Sequence, residues 1–388
     1  MVKKLQPKLR FRGFTDAWEQ RKGAEVICVR RDNIANPPRD IVDVELENLI
    51  EGGGLQGDLS LRTASTSVFH EHDTLFGRLR PYLRKFWFAN TAGVKSGEIW
   101  SLYSSALKPE FLYALTQSVQ FLNQALQTAG TKMPRAEWKT IAEAYFAVPQ
   151  AEEQEKIGLL LQKLEKLIAA EKRKLNLLQK KKTALLRQIF GQKLRFKGYD
   201  NSWKPRRLGE IATVVGGGTP DTNNPLYWNG DINWFTPAEI GSNAYASKSE
   251  RRITKEGLEH SSAKLLPAGR TILFTSRASI GLTAILMADA CTNQGFQSLV
   301  VSDRTDMFFL FGLCNQIKKQ AIRNAAGSTF IEISGKQLAK MPLQIPSLDE
   351  QRRIGKVVRT MDSLIAVATR KIDLLKLKKK ALLQQMFV

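Results

Sequence analysis

Apolar residues recur at alternating steps of four and three along two separate stretches of this chain. The first stretch carries Ile157, Leu161, Leu164, Ile168, Leu175, Leu178 and Leu185. The second stretch carries Ile354, Val358, Met361, Ile365, Ile372, Leu375 and Leu382. A mostly apolar heptad pattern sustained in this way predicts a long helix whose apolar stripe packs on another helix. We expect each helix to contain about 40 residues and to measure roughly 60 Å.

The two helical stretches are copies of one another, because Pro149 to Phe190 aligns without a gap onto Pro346 to Phe387, 197 residues later. Each helix needs a partner to cover its apolar stripe, and the nearest candidate is the other copy. We expect an antiparallel pair, since both helices follow the same kind of segment and antiparallel pairing places those segments at opposite ends. The repeat would then have a pseudo-twofold axis, and the two chain ends would lie close together.

Signals at the helix ends agree with this prediction. Ser347 followed by Glu350 fits a capping box at the start of the second helix. The first helix has Gln150 at the capping position, which predicts a weaker cap. Gly191 is expected to end the first helix.

A second repeated segment stands at the other end of each copy. The sequence from Lys8 to Trp18 returns from Lys193 to Trp203, 185 residues later. Between the repeated segments the two copies correspond only at scattered positions. Similar frames around dissimilar inserts predict a fixed scaffold whose two inserts recognise different things. We divide the chain into a globular domain at residues 1–148, a long helix at 149–191, a second globular domain at 192–345 and a second long helix at 346–388.

Both inserts mix short strands, glycine-rich turns and a longer helical stretch. The predicted strands lie at 41–46, 84–89, 271–275 and 298–302, and the predicted helices lie at 108–126 and 307–324. This mixture predicts the α+β class for each domain. Trp18 and Trp203 belong to the repeated frame, so we expect them to be packing anchors.

The composition is typical of a soluble globular protein, with 43% hydrophobic residues and no long apolar tract. No apolar stretch follows the first charged residues, so we predict no secretory signal and expect a cytoplasmic location. Cys28, Cys291 and Cys314 are far apart and odd in number, which predicts reduced thiols.

The formal net charge of +22 is large for 388 residues and indicates a polyanionic partner. A solvated basic surface without a ligand is the alternative. The lysines at 180–182 and 378–380 fit dipole compensation on a solvated helix face, or contact with DNA phosphate or an acidic partner subunit. A membrane role is not favoured, because the chain lacks a basic amphipathic helix with an aromatic face.

Basic and amide residues gather beside the predicted turns of both inserts. In the first insert these are Arg78, Arg80, Arg84, Lys85, Lys132 and Arg135. In the second insert these are Thr219, Ser276, Arg277, Asn293, Gln294, Arg323 and Asn324. Arginine pairs with guanine, and asparagine or glutamine with adenine, through two hydrogen bonds at the base edge. Any single arginine contacts phosphate more often than a base, so we interpret the whole set as a DNA-binding surface.

Motifs for catalysis by this chain alone are missing. Asn36-Pro37-Pro38 begins like the motif of adenine methyltransferases, but Arg39 replaces the aromatic residue that would stack on a flipped base. The glycines at 216–218 lead into a loop rather than a helix, and no phosphate-binding lysine motif is present. His70 and His72 lack further ligands at metal-binding spacing. We therefore predict a protein that is not an enzyme and carries no cofactor or metal of its own.

Three motifs are similar to those of a known family. Leu-Arg-Phe-x-Gly-aromatic-x-x-x-Trp occurs from Leu9 and again from Leu194. Gly-Gly-Gly-Thr-Pro occupies Gly216 to Pro220, and Glu-Gln-x-x-Ile-Gly opens the long helices at Glu153 and Glu350. With these motifs the whole chain resembles the specificity subunits of type I restriction-modification systems.

The resemblance implies two target recognition domains, each of which reads one half of an asymmetric bipartite site in double-stranded DNA. The paired helices would act as a ruler between the domains and as the docking surface for two methyltransferase subunits. Those partners would bring S-adenosylmethionine and methylate adenine. Motor-nuclease restriction subunits would bring ATP and Mg for translocation and cleavage.

Two other classes of protein fit the composition. One is a self-contained restriction or modification enzyme with divergent motifs, which would methylate or cut DNA without partners. The other is a basic coiled-coil scaffold that binds nucleic acid nonspecifically, with an affinity governed by salt alone. The dissimilar inserts argue against the scaffold, because nonspecific binding gives no reason for them to differ.

Overall fold

The computed structural model of the chain describes residues 5–60, 65–127, 133–241, 243–277, 279–325 and 331–388. These residues form two compact units. Unit 1 comprises Met1–Arg173 with Thr369–Val388, and unit 2 comprises Lys174–Ala368. Each unit therefore contains one globular domain together with a part of both long helices.

The strands of unit 1 are short. They are β1 (Glu19–Lys22), β2 (Cys28–Val29), β3 (Asp43–Val44), β4 (Ser67–Phe69), β5 (Thr74–Gly77), β6 (Phe86–Phe88), β7 (Gly93–Lys95), β8 (Ile99–Tyr103) and β9 (Tyr145–Val148). The helices are α1 (Gly23–Val26), α2 (Pro109–Gln117), α3 (Val119–Ala125), α4 (Trp138–Glu143) and the long α5 (Ala151–Phe190), which continues into unit 2. One sheet has the antiparallel order β2-β8-β5-β6, and another has the order β3-β7-β4 with a parallel β3-β7 pair. β1 pairs with β9.

Unit 2 repeats this plan with additional strands. The strands are β10 (Lys204–Arg207), β11 (Ala212–Gly216), β12 (Trp228–Phe235), β13 (Tyr245–Ala246), β14 (Arg251–Ile253), β15 (Thr271–Phe274), β16 (Thr283–Leu286), β17 (Ala290–Thr292), β18 (Gln297–Val301) and β19 (Pro342–Ile345). The helices are α6 (Leu208–Ile211), α7 (Lys255–Glu259), α8 (Met307–Asn324), α9 (Gly335–Ala339) and the long α10 (Leu348–Gln385). The sheets have the orders β11-β18-β15-β16-β13, β14-β12-β17 and β10-β19.

The two inserts share a sheet topology that their sequences do not reveal. The order β2-β8-β5-β6 in unit 1 matches β11-β18-β15-β16 in unit 2, strand for strand. The hydrogen bond from Gly77 N–H to Lys85 O, at 2.9 Å, has a counterpart from Thr275 N–H to Leu282 O, at 3.0 Å. The internal repeat therefore extends through both domains, although the insert residues have diverged.

The tryptophan of each repeated frame lies in the core of its own unit. Trp18 is 3% exposed and packs edge-on against Phe387, with ring centroids 6.1 Å apart. Trp203 packs in the same way against Phe190 at 6.3 Å. Phe387 and Phe190 are repeat counterparts near the ends of the two long helices. The prediction that both tryptophans are packing anchors is confirmed.

The Glu-Gln-x-x-Ile-Gly motif joins each long helix to the neighbouring domain. Gln154 accepts a hydrogen bond from Lys108 N–H at 2.9 Å, and Gln351 accepts one from Asp306 N–H at 3.0 Å. Each glutamine also donates to the proline carbonyl that precedes its helix. A buried amide that bonds on both sides fixes the start of the helix against the domain.

The glutamate of the same motif binds an arginine of the first repeated segment. Arg10 donates two hydrogen bonds to Glu153, at 2.9 and 2.7 Å, and Arg195 donates two to Glu350, at 3.0 and 2.8 Å. The capping box predicted at Ser347 is consequently only half formed. Ser347 Oγ accepts from the N–H of Glu350 at 3.4 Å, while the Glu350 carboxylate is occupied by Arg195.

The long helices run antiparallel within each unit. In unit 1, Lys371 of α10 forms an ion pair with Glu171 of α5, and Lys379 forms one with Glu165. The partner number on α5 falls as the number on α10 rises, which is the antiparallel sense. The hydrogen bond from Leu9 N–H to the carbonyl of Gln385, at 2.9 Å, places the first repeated segment beside the end of α10, as predicted.

In unit 2 the two long helices are again antiparallel. Lys182 of α5 forms an ion pair with Asp362 of α10, and Phe190 shares a core with Ile354 and Val358. Lys182 and Lys379 therefore form ion pairs within the helix pair. Both domains are α+β and both long helices pair antiparallel, as the sequence predicts.

Several predicted elements have different bounds in the structure. The helix predicted at 108–126 is divided into α2 and α3, because Ser118 adopts an extended conformation with φ −74° and ψ 160°. The left-handed residue after α5 is Gln192, with φ 56°, rather than Gly191. α8 has the predicted bounds. Among the described residues, no helix is both long enough and apolar enough to cross a membrane.

Candidate nucleic-acid interface

In unit 1 the predicted arginines follow β5 and lie beside the segment that precedes α4. Arg80 N–H donates to Pro134 O at 2.8 Å, and Leu79 forms a β-bridge with Arg135. The sheet thus brings Arg78, Arg80 and Arg135 together at one end. This proximity is a property of the fold, since Arg135 is far from the other two in the sequence.

Two of these arginines are positioned by carboxylates. Arg135 binds Glu98 at 2.7 Å, and its hydrogen bonds hold the pKa of the Glu98 carboxyl below the ordinary value. Arg78 lies 3.8 Å from Glu137 and 5.8 Å from the centre of the Trp100 ring. Partly exposed ion pairs of this kind contribute little to stability, so a DNA phosphate can replace the carboxylate at little cost.

The turn between β5 and β6 presents an aromatic side chain that the sequence analysis did not single out. Arg80 and Arg84 have φ values of 51° and 50°, in the left-handed region, and they enclose Pro81–Leu83. Tyr82, at the centre of this turn, is 53% exposed. Left-handed backbone at residues other than glycine is strained and is found at binding sites. An aromatic residue between closely spaced arginines was the available signal.

Arg84 and Lys85 point inward and stabilise this turn. Arg84 donates to the carbonyl of Gln117 at 3.3 Å, and Lys85 Nζ donates to the carbonyl of Leu46 at 2.8 Å. Both side chains are half-buried. The remaining predicted residue of this insert, Lys132, lies outside the described residues.

In unit 2 the glycine-rich loop after β11 packs against the loop between β17 and β18. A Cβ at Gly217 would lie 2.0 Å from the carbonyl oxygen of Asn293, so only glycine allows this approach. Thr219 Oγ1 donates a hydrogen bond to Gln294. Three predicted residues, Thr219, Asn293 and Gln294, are therefore neighbours, and Gln294 is exposed.

Ser276 and Arg277 join the same group through the backbone. Ser276 N–H donates to Gly295 O at 2.8 Å, directly beside Gln294. The Ser276 side chain is completely buried, so it faces the core rather than the surface. Arg277 is exposed and forms an ion pair with Glu332 at 2.8 Å.

Arg323 and Asn324 are the last residues of α8, and both are exposed. The carbonyl of Asn324 accepts a hydrogen bond from Gln337 of α9 at 3.3 Å. At the start of α9, a Cβ on Gly335 would lie 2.6 Å from Oε1 of Gln297, the first residue of β18. Arg323 and Asn324 are thus connected to the same end of the sheet as Gln294.

Predicted residues of the two domains occupy corresponding places. Arg78 follows β5 as Ser276 follows β15. Ala136 N–H donates to Arg78 O at 2.8 Å, and Ile333 N–H donates to Ser276 O at 3.1 Å. The same backbone position therefore carries a half-buried arginine in the first domain and a buried serine in the second.

The predicted helix-pairing residues lie on covered faces of α5 and α10. Those that are buried are Ile157, Leu161, Leu164, Ile168, Ile354, Val358 and Ile372. Those that are half-buried are Leu175, Leu178, Leu185, Met361, Ile365, Leu375 and Leu382. Another face of each helix carries exposed leucines at repeat-related positions, for example Leu177 at 60% and Leu374 at 57%.

The described residues contain no cluster of His, Cys, Asp or Glu that could hold a metal ion. His70 and His72 are exposed. Cys28, Cys291 and Cys314 are free thiols, as predicted. Burial raises the pKa of Cys291 to about 11 and that of Cys314 to about 12, so both stay protonated at neutral pH. The loop residues of both domains are thus suited to binding through hydrogen bonds and charge.

Comparison with known protein families identifies the family to which the sequence is related. The family model described as Type I restriction modification DNA specificity domain matches residues 79–180 and 201–377, more than half of the chain. The chain belongs to this family. Each match runs through an insert into a long helix, so the family's repeat coincides with the two domains described above.

Two specificity subunits are similar in sequence to part of this chain. The type I restriction enzyme MjaIX specificity subunit of Methanocaldococcus jannaschii is 36% identical over 167 residues, covering 42% of this chain and 38% of that protein. The EcoR124I/EcoR124II specificity subunit of Escherichia coli is 32% identical over 180 residues, covering 45% and 44%. The match therefore spans less than half the length of these curated relatives.

A solved structure matches along nearly the whole chain. The S subunit of the type I restriction-modification system from M. genitalium superposes with a TM-score of 0.66 at 16% identity, covering 99% of both chains. This likeness concerns the fold alone. The predicted fold class, with two α+β domains and two long helices, is confirmed.

Proposed function

We propose that this chain is the non-catalytic DNA-recognition subunit of a type I restriction-modification complex. Each of its two target recognition domains reads one half of an asymmetric, bipartite site in double-stranded DNA. One observation carries the proposal: within a common sheet topology, the loops at one end of the sheet expose Arg80 and Tyr82 in the first domain but Arg277 and Gln294 in the second. A repeated scaffold with different side chains at the same place suits two readers of different sequences.

The side chains around these positions support different base preferences. The first domain offers arginines together with the exposed Tyr82, and the second offers the amides of Asn293 and Gln294 beside Arg277. Arginine favours guanine, whereas asparagine and glutamine favour adenine. The net charge of +22 supplies the phosphate affinity that both domains need without adding sequence information. A nonspecific scaffold would not require these differences.

The exposed leucines of the long helices support docking of two methyltransferase subunits. Leu177 and Leu374 are repeat counterparts and are exposed to nearly the same extent, as are Leu167 at 45% and Leu364 at 47%. Apolar side chains that recur at equivalent exposed positions suit two equivalent partners. S-adenosylmethionine would be bound by these partners, and motor-nuclease subunits would bind ATP and Mg. The complex would work in the cytoplasm, where its DNA is.

Methylome sequencing tests this function directly. A host that expresses this chain with the methyltransferase subunit of the same system is compared with a host that lacks only this chain. We expect a new adenine methylation motif made of two half-sites with a fixed gap. Methylation without any motif that depends on this chain, in a complex shown to assemble, would favour the nonspecific scaffold. Methylation or cleavage by the purified chain alone would favour the self-contained enzyme.

Exchange of one insert tests whether the two domains read independently. Residues 203–339 are replaced by the insert of another family member, and in a matched chimaera residues 18–140 are replaced instead. We expect each chimaera to change a different half of the methylated motif and to keep the other half. A change of both halves in either chimaera contradicts independent reading.

A further inference from the structure

A basic cavity of about 910 Å³ lies in the repeated frame of unit 2, apart from the loops discussed above. Its charged lining consists of Arg195, Lys204, Arg206, Arg304, Glu210 and Glu350. Arg195 is paired with Glu350 at 2.8 Å, and Arg206 is paired with Glu210 at 3.6 Å. Lys204 and Arg304 are exposed, and neither forms an ion pair within the part of the chain that the structure describes. The cavity therefore has two cationic side chains available for a ligand.

The corresponding surface of unit 1 has the opposite charge. The internal repeat places Glu19 at the position of Lys204 and Asp16 at the position of Asn201. Ala106 corresponds to Arg304, because each stands two residues before the backbone N–H that the motif glutamine binds. The charged lining in unit 2 has four cationic side chains and two carboxylates. The equivalent positions in unit 1 are Arg10, Arg21, Asp16, Glu19, Glu25 and Glu153, two cations and four carboxylates.

The cavity lies at the far end of the sheet from the candidate DNA-binding loops. Ile211, which lines the cavity, precedes β11, whereas the glycine-rich loop follows β11. Arg304 follows β18, whereas Gln294 precedes it. A five-residue strand spans roughly 15 Å, so about that distance separates the cavity from those loops. The cavity would therefore not position a DNA duplex that is bound by the loops. This arrangement argues for a protein ligand rather than DNA phosphate.

We propose that the cavity binds an acidic peptide segment of the methyltransferase subunit, and that the equivalent surface of unit 1 does not. This inference rests on the proposed function. Carboxylates of the segment would pair with Lys204 and Arg304. The cavity volume is large enough to hold a few side chains of the segment. Two otherwise alike docking positions would then differ in affinity, with the tighter position at unit 2.

A double substitution that copies unit 1 into unit 2 tests the proposal. Lys204→Glu with Arg304→Ala installs the residues found at these positions in the first copy. We expect the affinity of the full chain for the methyltransferase subunit to fall on the order of tenfold at low salt, because complementary charge is removed at the contact. Native mass spectrometry should show a complex with two methyltransferase subunits giving way to one. Lys255→Glu with Lys264→Ala changes the net charge equally, outside the cavity lining, and should have no such effect.

Chemical crosslinking identifies the ligand directly. A carbodiimide condenses a lysine amine with a nearby carboxylate, so Lys204 in the assembled complex should be joined to an aspartate or glutamate of the methyltransferase subunit. Peptide mass spectrometry reads this product. Crosslinks from Lys204 only to carboxylates of this chain would overturn the proposal.

The affinity for a duplex DNA probe, measured on the same variants, separates the remaining outcomes. If the cavity variant loses DNA affinity while assembly is unchanged, the cavity holds DNA phosphate and the proposal is wrong. If assembly and DNA affinity both match the control variant, the cavity is a solvated basic surface and the proposal is also wrong. A wild-type chain that binds no methyltransferase subunit at all contradicts the proposed function itself.

Discussion

Lys379 of α10 forms an ion pair with Glu165 of α5, and their repeat counterparts Lys182 and Asp362 form the same ion pair in unit 2. The Lys379 side chain is 10% exposed and that of Asp362 is 5% exposed. Lys379 also donates to the carbonyl of Gly52 at 3.3 Å, which ties the first domain to the helix pair. The same largely buried contact therefore occurs at equivalent positions of the helix pair in both units.

Removing one partner of the unit 2 ion pair should lower the free energy of unfolding more than replacing both partners with apolar residues. Asp362→Ala leaves the half-buried Lys182 without its partner, and we expect the free energy of unfolding to fall by roughly 1–3 kcal/mol. Lys182→Met combined with Asp362→Leu should be nearly neutral, because neither partner is left as an unpaired charge. Urea denaturation followed by circular dichroism measures both variants, with Lys180→Met as an exposed-lysine control. A double variant as unstable as the single one would show that the ion pair itself stabilises the helices.

The glycine of each helix motif should not tolerate alanine, although alanine is normally favoured in a helix by about 1 kcal/mol. A Cβ at Gly355 would lie 2.0 Å from the Asp306 carboxylate that caps α8, and one at Gly158 would lie 2.7 Å from Phe111 N. We expect Gly355→Ala and Gly158→Ala to lower the free energy of unfolding by roughly 1–3 kcal/mol.

The matched control for this prediction is Gly97→Ala, because a Cβ at Gly97 would meet nothing within 4 Å. Thermal unfolding of the three variants is compared under one condition. A melting temperature for the motif variants equal to or above that of the control would mean that the domain moves away from the helix at little cost.

Lys95 should make stability depend on pH in the alkaline range. The side chain lies in β7 at 5% exposure, and burial lowers its pKa to about 8. The unfolded pKa is about 10.4, so below pH 8 the lysine is charged in both states and the cost of burying the charge is fully present. Between about pH 8 and 10.4 the unfolded state binds more protons, and stability therefore rises with pH.

Lys95→Met should accordingly raise the free energy of unfolding at pH 7 by up to about 3 kcal/mol. The advantage over wild type should shrink above pH 8 and disappear near pH 10.5. Denaturation at several pH values measures the difference, with Lys139→Met, an 85% exposed lysine, as the control. A difference of equal size at pH 7 and pH 10 would exclude titration of Lys95 as the cause.

Single exposed loop residues should each affect one half of the recognised site. Gln294→Ala is expected to relax the half read by the second domain, and Arg80→Ala the half read by the first. A lost bidentate base contact costs roughly 1–3 kcal/mol of discrimination. Methylation of a library with every base varied in both halves gives the preference of each variant. Relaxation of both halves by one substitution would contradict the assignment of halves to domains.

A good part of the architecture was predictable from the sequence, because its signals are local. The heptad pattern predicts α5 and α10, and the 197-residue offset identifies the repeated frame. α8 has the predicted bounds because its apolar residues recur at helical spacing. The strands were predicted less well, since a strand such as β3, with two residues, depends on its neighbours more than on its own sequence.

The contacts that build the candidate interface depend on the folded chain. Thr219 meets Gln294, 75 residues away, only because β11 and β18 are neighbours in the sheet. Ser276 has a side chain suited to DNA, yet the sheet buries it. Lys182 belongs to a basic cluster in the sequence, yet antiparallel pairing places it against Asp362. Periodicity and repeats can be read directly from the sequence. Burial and long-range partners depend on tertiary packing, which no local sequence pattern specifies.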